Sequence, residues 1–248
     1  MKAWAIFVHS IRQVFGNLPQ ALHVSGLLYL AQMAVSVAIG VTPATLQPGA
    51  QMPPGEAFGA LIAVIVMLVS TLWIAVAWHR FVLLDERPLG YVPAFSGGRL
   101  GRYAGRSILI GLVAVAIALV IGLASAIVLF ALLGQGALAS MLAVLAMIVP
   151  AFAVFYRLSA SLPGLALDRQ TAFADGWVAT TGETETILIL AFFTGLIGIV
   201  LGAPLSLMPT GSVVALLWEL VAGWVQLMVS ASILTTLYGH YIEKRPLL

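Results

Sequence analysis

The amino-acid sequence predicts an all-α integral membrane protein, and two observations carry that prediction. Residues of the set AVILMFWYC make up 62% of the chain and charged residues 8%, whereas soluble domains have about 45–50% apolar and about 25% charged residues. Separate stretches of the chain are also long and apolar enough to cross the roughly 30 Å hydrocarbon core of a bilayer as helices. We therefore expect a single polytopic transmembrane domain over residues 1–248.

The apolar stretches predict six transmembrane helices. They comprise residues 24–43, 57–78, 107–133, 138–160, 186–208 and 213–238. Pro150 and Pro204 fall inside the fourth and fifth of these spans. Because proline lacks an N–H donor, we expect kinks at both positions, with neighbouring groups satisfying the freed carbonyls.

All Lys and Arg residues fall on one side of this topology. The connections on the other side are residues 42–56, 134–136 and 209–211, which contain neither Lys nor Arg. By the positive-inside rule the basic side is the cytoplasm, and an even number of spans puts both termini there. The predominance of Arg over Lys and the abundance of Ala suggest a GC-rich bacterial genome, so we expect the bacterial inner membrane.

The N-terminal segment predicts an amphipathic helix at the membrane interface, because Trp4, Phe7, Ile11 and Val14 recur at helical spacing. We expect no cleaved signal peptide, since Arg12 and later breaks interrupt the apolar pattern. Segments 91–105 and 171–181 take the same place before the third and fifth spans, with aromatic residues in each. These segments are predicted to be interfacial as well.

An internal repeat is predicted from the ends of the second, fourth and sixth spans. Each ends in aromatic and basic residues followed by proline, at a spacing of about 80 residues. The prediction is three helix-plus-hairpin repeats, 1–88, 89–163 and 164–248. The alternative is that interfacial preferences alone place aromatic and Arg side chains at this level.

A polar face on the sixth span is one candidate functional site. Glu219 lies well inside the span, where a charge at mid-bilayer costs roughly 2.5 kcal/mol or more. Gly223, Gln226 and Ser230 follow on the same face, which fits the lining of a cavity or of a proton or substrate path. The alternative is that Glu219 lies about 12 Å along the helix from Gly211, near the outer interface and water.

Basic residues at the cytoplasmic ends form a second candidate site, for anionic lipid. Arg80 and Arg157 end the second and fourth spans, where a guanidinium fits a phosphate oxygen or pairs with a nearby acid. The candidate acids are Asp85, Glu86, Asp168 and Asp175. The glycine-rich segment 96–102 adds Arg99 and Arg102 beside Arg106, which suits a lipid headgroup. Snorkelling and an ordinary basic loop are the alternatives.

Small residues on the fifth span predict close helix packing. Gly195, Gly198 and Gly202 recur at a spacing that allows another helix to approach. Packing within the bundle is the favoured interpretation, and homo-oligomerisation is the second.

Catalysis, metal binding and nucleic-acid binding are not indicated. The chain has no Cys, and His9, His23, His79 and His240 have no ligand partner at helical spacing, so no metal site is predicted. No nucleophile elbow, HExxH helix or Walker motif is present, and we expect a non-enzymatic protein without a cofactor. A net charge of +2 argues against a nucleic-acid partner.

Short motifs resemble those of uncharacterised bacterial six-helix inner-membrane proteins, which are similar to the membrane domain fused to some glycerophosphodiester phosphodiesterases. The motifs are Phe15-Gly16-Asn17-Leu18, Trp78-His79-Arg80, Tyr156-Arg157-Leu158-Ser159, Leu162-Pro163, Leu167-Asp168-Arg169 and Thr180-Thr181-Gly182. The resemblance implies a six-helix protein with a role near lipids. It transfers no catalytic residue, since the phosphodiesterase domain is not present in this sequence.

Three functions remain open from the sequence. The leading hypothesis is a non-enzymatic scaffold or accessory protein in lipid handling or envelope assembly, with membrane lipids as partners. A small transporter or channel would use the face of Glu219, Gln226 and Ser230. The third possibility is a subunit of a larger membrane complex, which the numerous aromatic residues and the small residues of the fifth span suggest. The same small residues also suit a homo-oligomer.

Overall fold

The structure is a computed structural model that describes residues 2–40, 56–209 and 211–247. Almost all of the predicted connection 42–56, and the last residues of the first predicted span, lie outside the described residues. We call the ends of the spans that adjoin the Lys and Arg residues the basic end, and the other ends the opposite end.

The described residues form nine α-helices. These are α1 (Lys2–Phe15), α2 (Leu18–Ile39), α3 (Glu56–Leu84), α4 (Gly97–Leu133), α5 (Ala137–Ser159), α6 (Leu162–Ala166), α7 (Asp175–Ala179), α8 (Thr184–Gly202) and α9 (Val213–Leu237). A 3₁₀ helix, Ala203–Leu207, follows α8, and a π-helix, Tyr238–Ile242, follows α9.

Six of the helical segments are long and apolar enough to cross a membrane, which confirms the prediction of an all-α, six-span membrane protein. They correspond in order to α2, α3, α4, α5 with α6, α8 with its 3₁₀ extension, and α9 with its π extension. Their outward faces are apolar: Ile127 and Leu132 of α4, for example, are 71% and 76% exposed. Such faces are stable against lipid and not against water.

The helix ends differ from the predicted ones for local reasons. α2 begins at Leu18 because Pro19 is tolerated in the first turn of a helix. α5 continues through Pro150 to Ser159. α8 ends at Gly202, and the chain passes into the 3₁₀ helix, since Pro204 cannot donate the next α-helical hydrogen bond.

The segments predicted to be interfacial take three different forms. α1 is a separate helix of 14 residues, too short to span a bilayer, with Ile6 and Val14 buried and Trp4 exposed. Residues 97–105 are instead the first turns of α4. The third segment contains only the short α7. That these segments lie in the membrane interface stays a prediction.

Helix packing is tightest at the basic end. α2 packs along α3, and α4 along α5, while α9 lies against α1, α3 and α8. The main apolar core joins Ile74 and Trp78 of α3, Ile110 of α4 and Met228 of α9, all fully buried. Toward the opposite end, few residues of α4 and α5 are buried.

Buried hydrogen bonds fix the helices relative to one another within this core. The indole N–H of Trp224 donates to Ser25 Oγ at 2.7 Å, joining α9 to α2. His79 of α3, fully buried, lies between Thr235 Oγ1 at 2.7 Å and the Tyr103 hydroxyl at 2.9 Å. In a medium without water these side chains must find partners on neighbouring helices, so each pair selects one helix arrangement.

The second, fourth and sixth spans close alike. A residue in the left-handed region follows each of them: Asp85 at φ 52°, Asp168 at φ 58° and Lys244 at φ 59°. The next amide N–H then folds back onto the helix, for example from Arg245 to the Gly239 carbonyl at 2.8 Å. Such a turn satisfies helix carbonyls that have no intrahelical donor. The threefold repeat itself stays a prediction.

We predict that Gly176→Ala destabilises the protein, by about 1–3 kcal/mol. A Cβ at Gly176 would collide with the backbone carbonyl oxygens of Arg157 and Leu158, which cannot move without disturbing the end of α5. The measurement is the unfolding midpoint in mild detergent. Gly101→Ala is the control, because a Cβ there meets nothing and Ala favours the helix. Equal midpoints for the two variants would contradict this packing.

Candidate functional site

Three arginines converge on Asp168 at the basic end. The Arg99 Nε and Nη2 atoms donate to Asp168 Oδ2 at 3.0 and 2.7 Å. Arg102 Nη2 donates to Oδ1 at 2.7 Å, and Arg80 Nη1 lies 3.4 Å from Oδ2. We call Arg80, Arg99, Arg102 and Asp168 the Asp168 cluster. It joins α3 and α4 to the turn that follows α6.

Local sequence explains how the cluster forms. Arg99 and Arg102 are three residues apart near the start of α4, so both project from one helix face. The left-handed backbone at Asp168 turns the chain away from α6 and leaves the carboxylate half-exposed. Aspartate tolerates this conformation better than most residues. The prediction that Arg80 pairs with a nearby acid is thus met by Asp168 and also by Glu86.

These ion pairs lower the pKa of both acids. The hydrogen bond from Arg99, together with the positive charges of Arg80 and Arg102, holds the pKa of Asp168 below its ordinary value. The hydrogen bond from Arg80 does the same for the pKa of Glu86. Both carboxylates are therefore ionised at neutral pH, and the side chains Arg80, Arg99, Arg102, Asp168 and Glu86 together carry one net positive charge.

Arg106 and Arg157 lie outside the Asp168 cluster. Arg106 donates to the Thr171 carbonyl at 3.1 Å and lies over the Phe173 ring. Arg157 donates to Thr180 Oγ1 at 3.1 Å, and its guanidinium carbon is 4.0 Å from the Trp177 ring centroid. The residues predicted as lipid contacts are therefore split between two places, and Arg106 and Arg157 anchor the 171–181 segment.

Arginines also connect the three helical hairpins, α2 with α3, α4 with α5 and α8 with α9, to one another. Arg80 donates to the Ala166 carbonyl at 2.9 Å, and Arg245 donates to the Leu83 carbonyl at 3.0 Å. Arg169 donates to the Tyr238 hydroxyl at 3.2 Å and pairs with Glu243. Each contact runs from the end of one hairpin to the end of another. We call these three arginines the arginine ring.

A cavity of about 290 Å³ opens beside the Asp168 cluster. Its walls are α3, the connection 87–94 and the side chain of Arg99. Trp73, Ala77 and Arg80 line it from one face of α3, because they recur at helical spacing. The Trp73 ring is held edge-on by Phe95, with centroids 4.8 Å apart.

Two buried donors at this cavity have no hydrogen-bond partner among the described residues. They are the Nε of Arg80 and the indole Nε1 of Trp73. Burying an unsatisfied donor costs about 1–3 kcal/mol, and more for a charged group. Both groups are donors only, so the partner that each lacks is an acceptor such as a phosphate oxygen or a water molecule.

The predicted polar face of α9 is separate from this cavity. Glu219, Gln226 and Ser230 are each half-buried, toward the middle and opposite end of the bundle. The hydroxyl of Tyr29, from α2, lies against Gly223 on the same face. The structure thus adds Tyr29 of α2 to this face.

The three glycines of α8 have different surroundings. Gly198 faces α9, where a Cβ would lie 3.7 Å from Gln226 Oε1. Gly195 and Gly202 are exposed, and a Cβ at either would meet nothing. Gly195 lines an apolar groove of about 520 Å³ between α5 and α8. Of these three glycines, only Gly198 has another helix of the same chain close to it, as the packing prediction requires.

Comparison with protein-family models, with curated proteins and with solved structures finds no match for this chain. The resemblance described above therefore stays a prediction, and the site is interpreted from its own geometry.

Sequence reasoning missed two features of the site. The first is Trp73, which the sequence analysis includes only as a residue of an apolar span. Its spacing of seven residues from Arg80 places both side chains on one helix face and is the signal that could have identified it. Asp168 was one of four candidate acids, and nothing in its immediate neighbours indicates that three arginines would reach it. Their separation of 66 to 88 residues hides the cluster from any local pattern.

We predict that Asp168→Asn lowers stability at neutral pH by about 1 kcal/mol, since the carboxylate is partly exposed and solvent screens its ion pairs. Asn also tolerates the left-handed backbone, so the change removes charge without strain. Because folding lowers the pKa of Asp168, the wild-type advantage is present above about pH 4 and is lost as the pH falls through the folded pKa.

The measurement is the unfolding midpoint of both proteins in detergent between neutral and acid pH. Convergence of the two midpoints at acid pH is the expected result. A difference that stays constant as the pH falls would show that the carboxylate charge does not stabilise the fold.

Proposed function

We propose that this protein is a non-enzymatic membrane protein that binds the phosphate group of a lipid at its basic end, as a scaffold or accessory protein in lipid handling or envelope assembly. The observation that carries the proposal is the cavity beside Arg80 and Arg99, where two buried donors, Arg80 Nε and Trp73 Nε1, lack partners.

The chemistry of the cavity favours an anion. Arg80, Arg87 and Arg99 contribute three positive charges to its lining and Glu86 one negative charge. A guanidinium donates through several N–H groups in a planar arrangement that matches phosphate oxygens. The orientation of Arg80 is already fixed by Ala166 and Glu86, so little side-chain freedom is lost on binding.

The position of the cavity favours a lipid over free phosphate. Trp73 lies seven residues deeper in α3 than Arg80, which corresponds to about 10 Å along the helix. One wall therefore runs from guanidinium groups toward the apolar interior, as a phospholipid does from its headgroup to its acyl chains. Trp and Arg are the residues that membrane interfaces favour. The resemblance to membrane domains fused to glycerophosphodiester phosphodiesterases supports the same assignment.

Residence in a bacterial inner membrane, with both termini in the cytoplasm, is part of the proposal. The support for the orientation is the complete segregation of Lys and Arg to one side of six spans. The support for a bacterial membrane is the predominance of Arg over Lys and the abundance of Ala. The lipid would then come from the cytoplasmic leaflet, where anionic headgroups attract basic side chains.

A membrane-protein partner or a second copy is the second candidate. The open groove between α5 and α8, where Gly195 is exposed, favours it, because small residues let another helix approach closely.

We predict that the protein retains phospholipid through mild detergent extraction, and that Arg99→Gln lowers the lipid-bound fraction by about tenfold. Trp73→Phe removes one N–H group but keeps the ring beside Phe95, so we expect a reduction of about threefold. The measurement is native mass spectrometry of the protein from its own membrane, which also detects stoichiometric protein partners.

Arg12→Gln is the matched control, because it removes the same charge from an exposed position on α1. Equal lipid retention by the Arg99, Trp73 and Arg12 variants would contradict a specific site. A stoichiometric protein partner without bound lipid would favour the second candidate.

We also predict the orientation of the chain. Because the sequence has no Cys, a single introduced thiol reports its own position. In spheroplasts, a membrane-impermeant maleimide should label Gln135→Cys, in the turn between α4 and α5. It should label Glu185→Cys, exposed at the basic end of α8, only after lysis. The reverse pattern would contradict cytoplasmic termini.

A further inference from the structure

Four polar side chains lie on α2 and α9 where these helices meet each other and α8, away from the basic end. They are Tyr29 and Gln32 of α2 and Glu219 and Gln226 of α9. Tyr29 and Gln32 are each only 6% exposed. In the part of the chain that the structure describes, none of the four side chains makes a hydrogen bond, and the Oε1 atoms of Gln32 and Gln226 are buried without a partner.

Helix geometry brings Gln32 of α2 and Glu219 of α9 to one level. The Tyr29 hydroxyl lies where a Cβ of Gly223 would be, so the two helices touch there. α2 and α9 run in opposite directions. Gln32, one turn after Tyr29, therefore lies beside Glu219, one turn before Gly223. Both are about 9–10 Å from the opposite end, since Glu219 follows the start of α9 by six residues and Gln32 precedes the end of α2 by seven.

The third wall comes from α8. Gln226 Oε1 lies near Gly198, which has no side chain to fill the space. The four oxygen-bearing side chains thus lie along the contacts that α9 makes with α2 and with α8. Each buried oxygen without a donor is costly in an apolar medium, and a carboxylate is the most costly of them.

No cationic side chain compensates Glu219. The Lys, Arg and His residues of α2 and α3 in the described part of the chain lie toward the basic end, and α8 and α9 contain none. The titratable group that faces Glu219 is the Tyr29 phenol, which interacts with it electrostatically. Glu56 begins α3 at the opposite end, and its side chain lies outside the described residues. Compensation must therefore come from a cation in solution.

We propose that Glu219, Tyr29, Gln32 and Gln226 form an intramembrane site for a monovalent cation, either a proton or a sodium ion. With a proton bound, the carboxyl O–H donates to an amide oxygen of Gln32 or Gln226, and its carbonyl accepts from Tyr29. With sodium bound, the carboxylate, amide and phenol oxygens supply the oxygen ligands that hard cations prefer. The cation exchanges with the solution at the opposite end, which is the nearer one.

This site is independent of the lipid cavity, since it shares no residue with it and lies on other helices. It gives a specific form to the hypothesis of a transporter that uses the polar face of α9, because binding of a cation within the membrane is the first step of coupled transport.

The test uses dicyclohexylcarbodiimide on the full-length protein in its native membrane. This apolar reagent reacts with a protonated carboxyl, which adds across a C=N bond to give an acylisourea and then a stable acylurea. Peptide mass spectrometry locates the label. The expected result is labelling of Glu219 that falls by about tenfold per pH unit once the carboxyl is mostly ionised. Glu185, exposed at the basic end of α8, is the internal control and should stay unlabelled.

Repeating the labelling with sodium chloride in place of choline chloride shows whether the site binds a proton or a sodium ion. Protection of Glu219 by sodium at constant pH identifies a sodium site, and equal labelling in the two salts identifies a proton site. Either result supports the proposal when the label depends on pH. Absence of label on Glu219, or labelling that does not change with pH, would overturn it.

A second variant tests the contribution of α2. Gln32→Leu keeps the volume of the side chain and removes its amide, so the pH of half-maximal labelling should move by about one unit. Gln135→Leu, in the exposed turn after α4, is the control and should leave that pH unchanged. Identical curves for Gln32→Leu and wild type would show that Glu219 titrates without the proposed partners.

Discussion

The fold depends on satisfying the carbonyl groups at the basic ends of the spans. A helix leaves its last four carbonyls without intrahelical donors, and at a membrane surface water reaches them only in part. Here arginines from other hairpins supply donors: Arg80 to Ala166 and Arg245 to Leu83. The same guanidinium groups that mark the side of the membrane also hold the hairpins together, so topology and tertiary structure rest on one set of residues.

The two halves of the bundle consequently differ. The basic half contains the apolar core, the buried His79 network and the Asp168 cluster. Toward the opposite end the helices present apolar side chains to lipid, and the amide oxygens of Gln32 on α2 and Gln226 on α9 are buried without a partner. Less densely packed regions of a fold open more easily, and binding sites that must admit and release a ligand are drawn from such regions.

The sequence was sufficient to predict the class of fold, the number of spans and the grouping of basic residues at one end, because composition, helix length and hydropathy are local properties. It also identified Glu219 as an acidic residue within an apolar span. It did not predict that α4 continues from Gly97 without a break, since the weak amphipathicity of residues 97–105 fits an interfacial helix equally well. The Asp168 cluster and the approach of Tyr29 to Gly223 depend on contacts between distant segments, which no pattern in a single sequence specifies.

The sites of contact also imply an order of assembly. The Asp168 cluster joins the first two hairpins and contains no residue after Asp168. The first four spans can therefore adopt their native arrangement as soon as they have been inserted. By contrast, α1, which precedes the six spans, packs mainly against α8 and α9, and Lys2 pairs with Glu183. During synthesis α1 therefore lacks its main native partners until the final spans emerge, so its packing is completed after that of the first four spans.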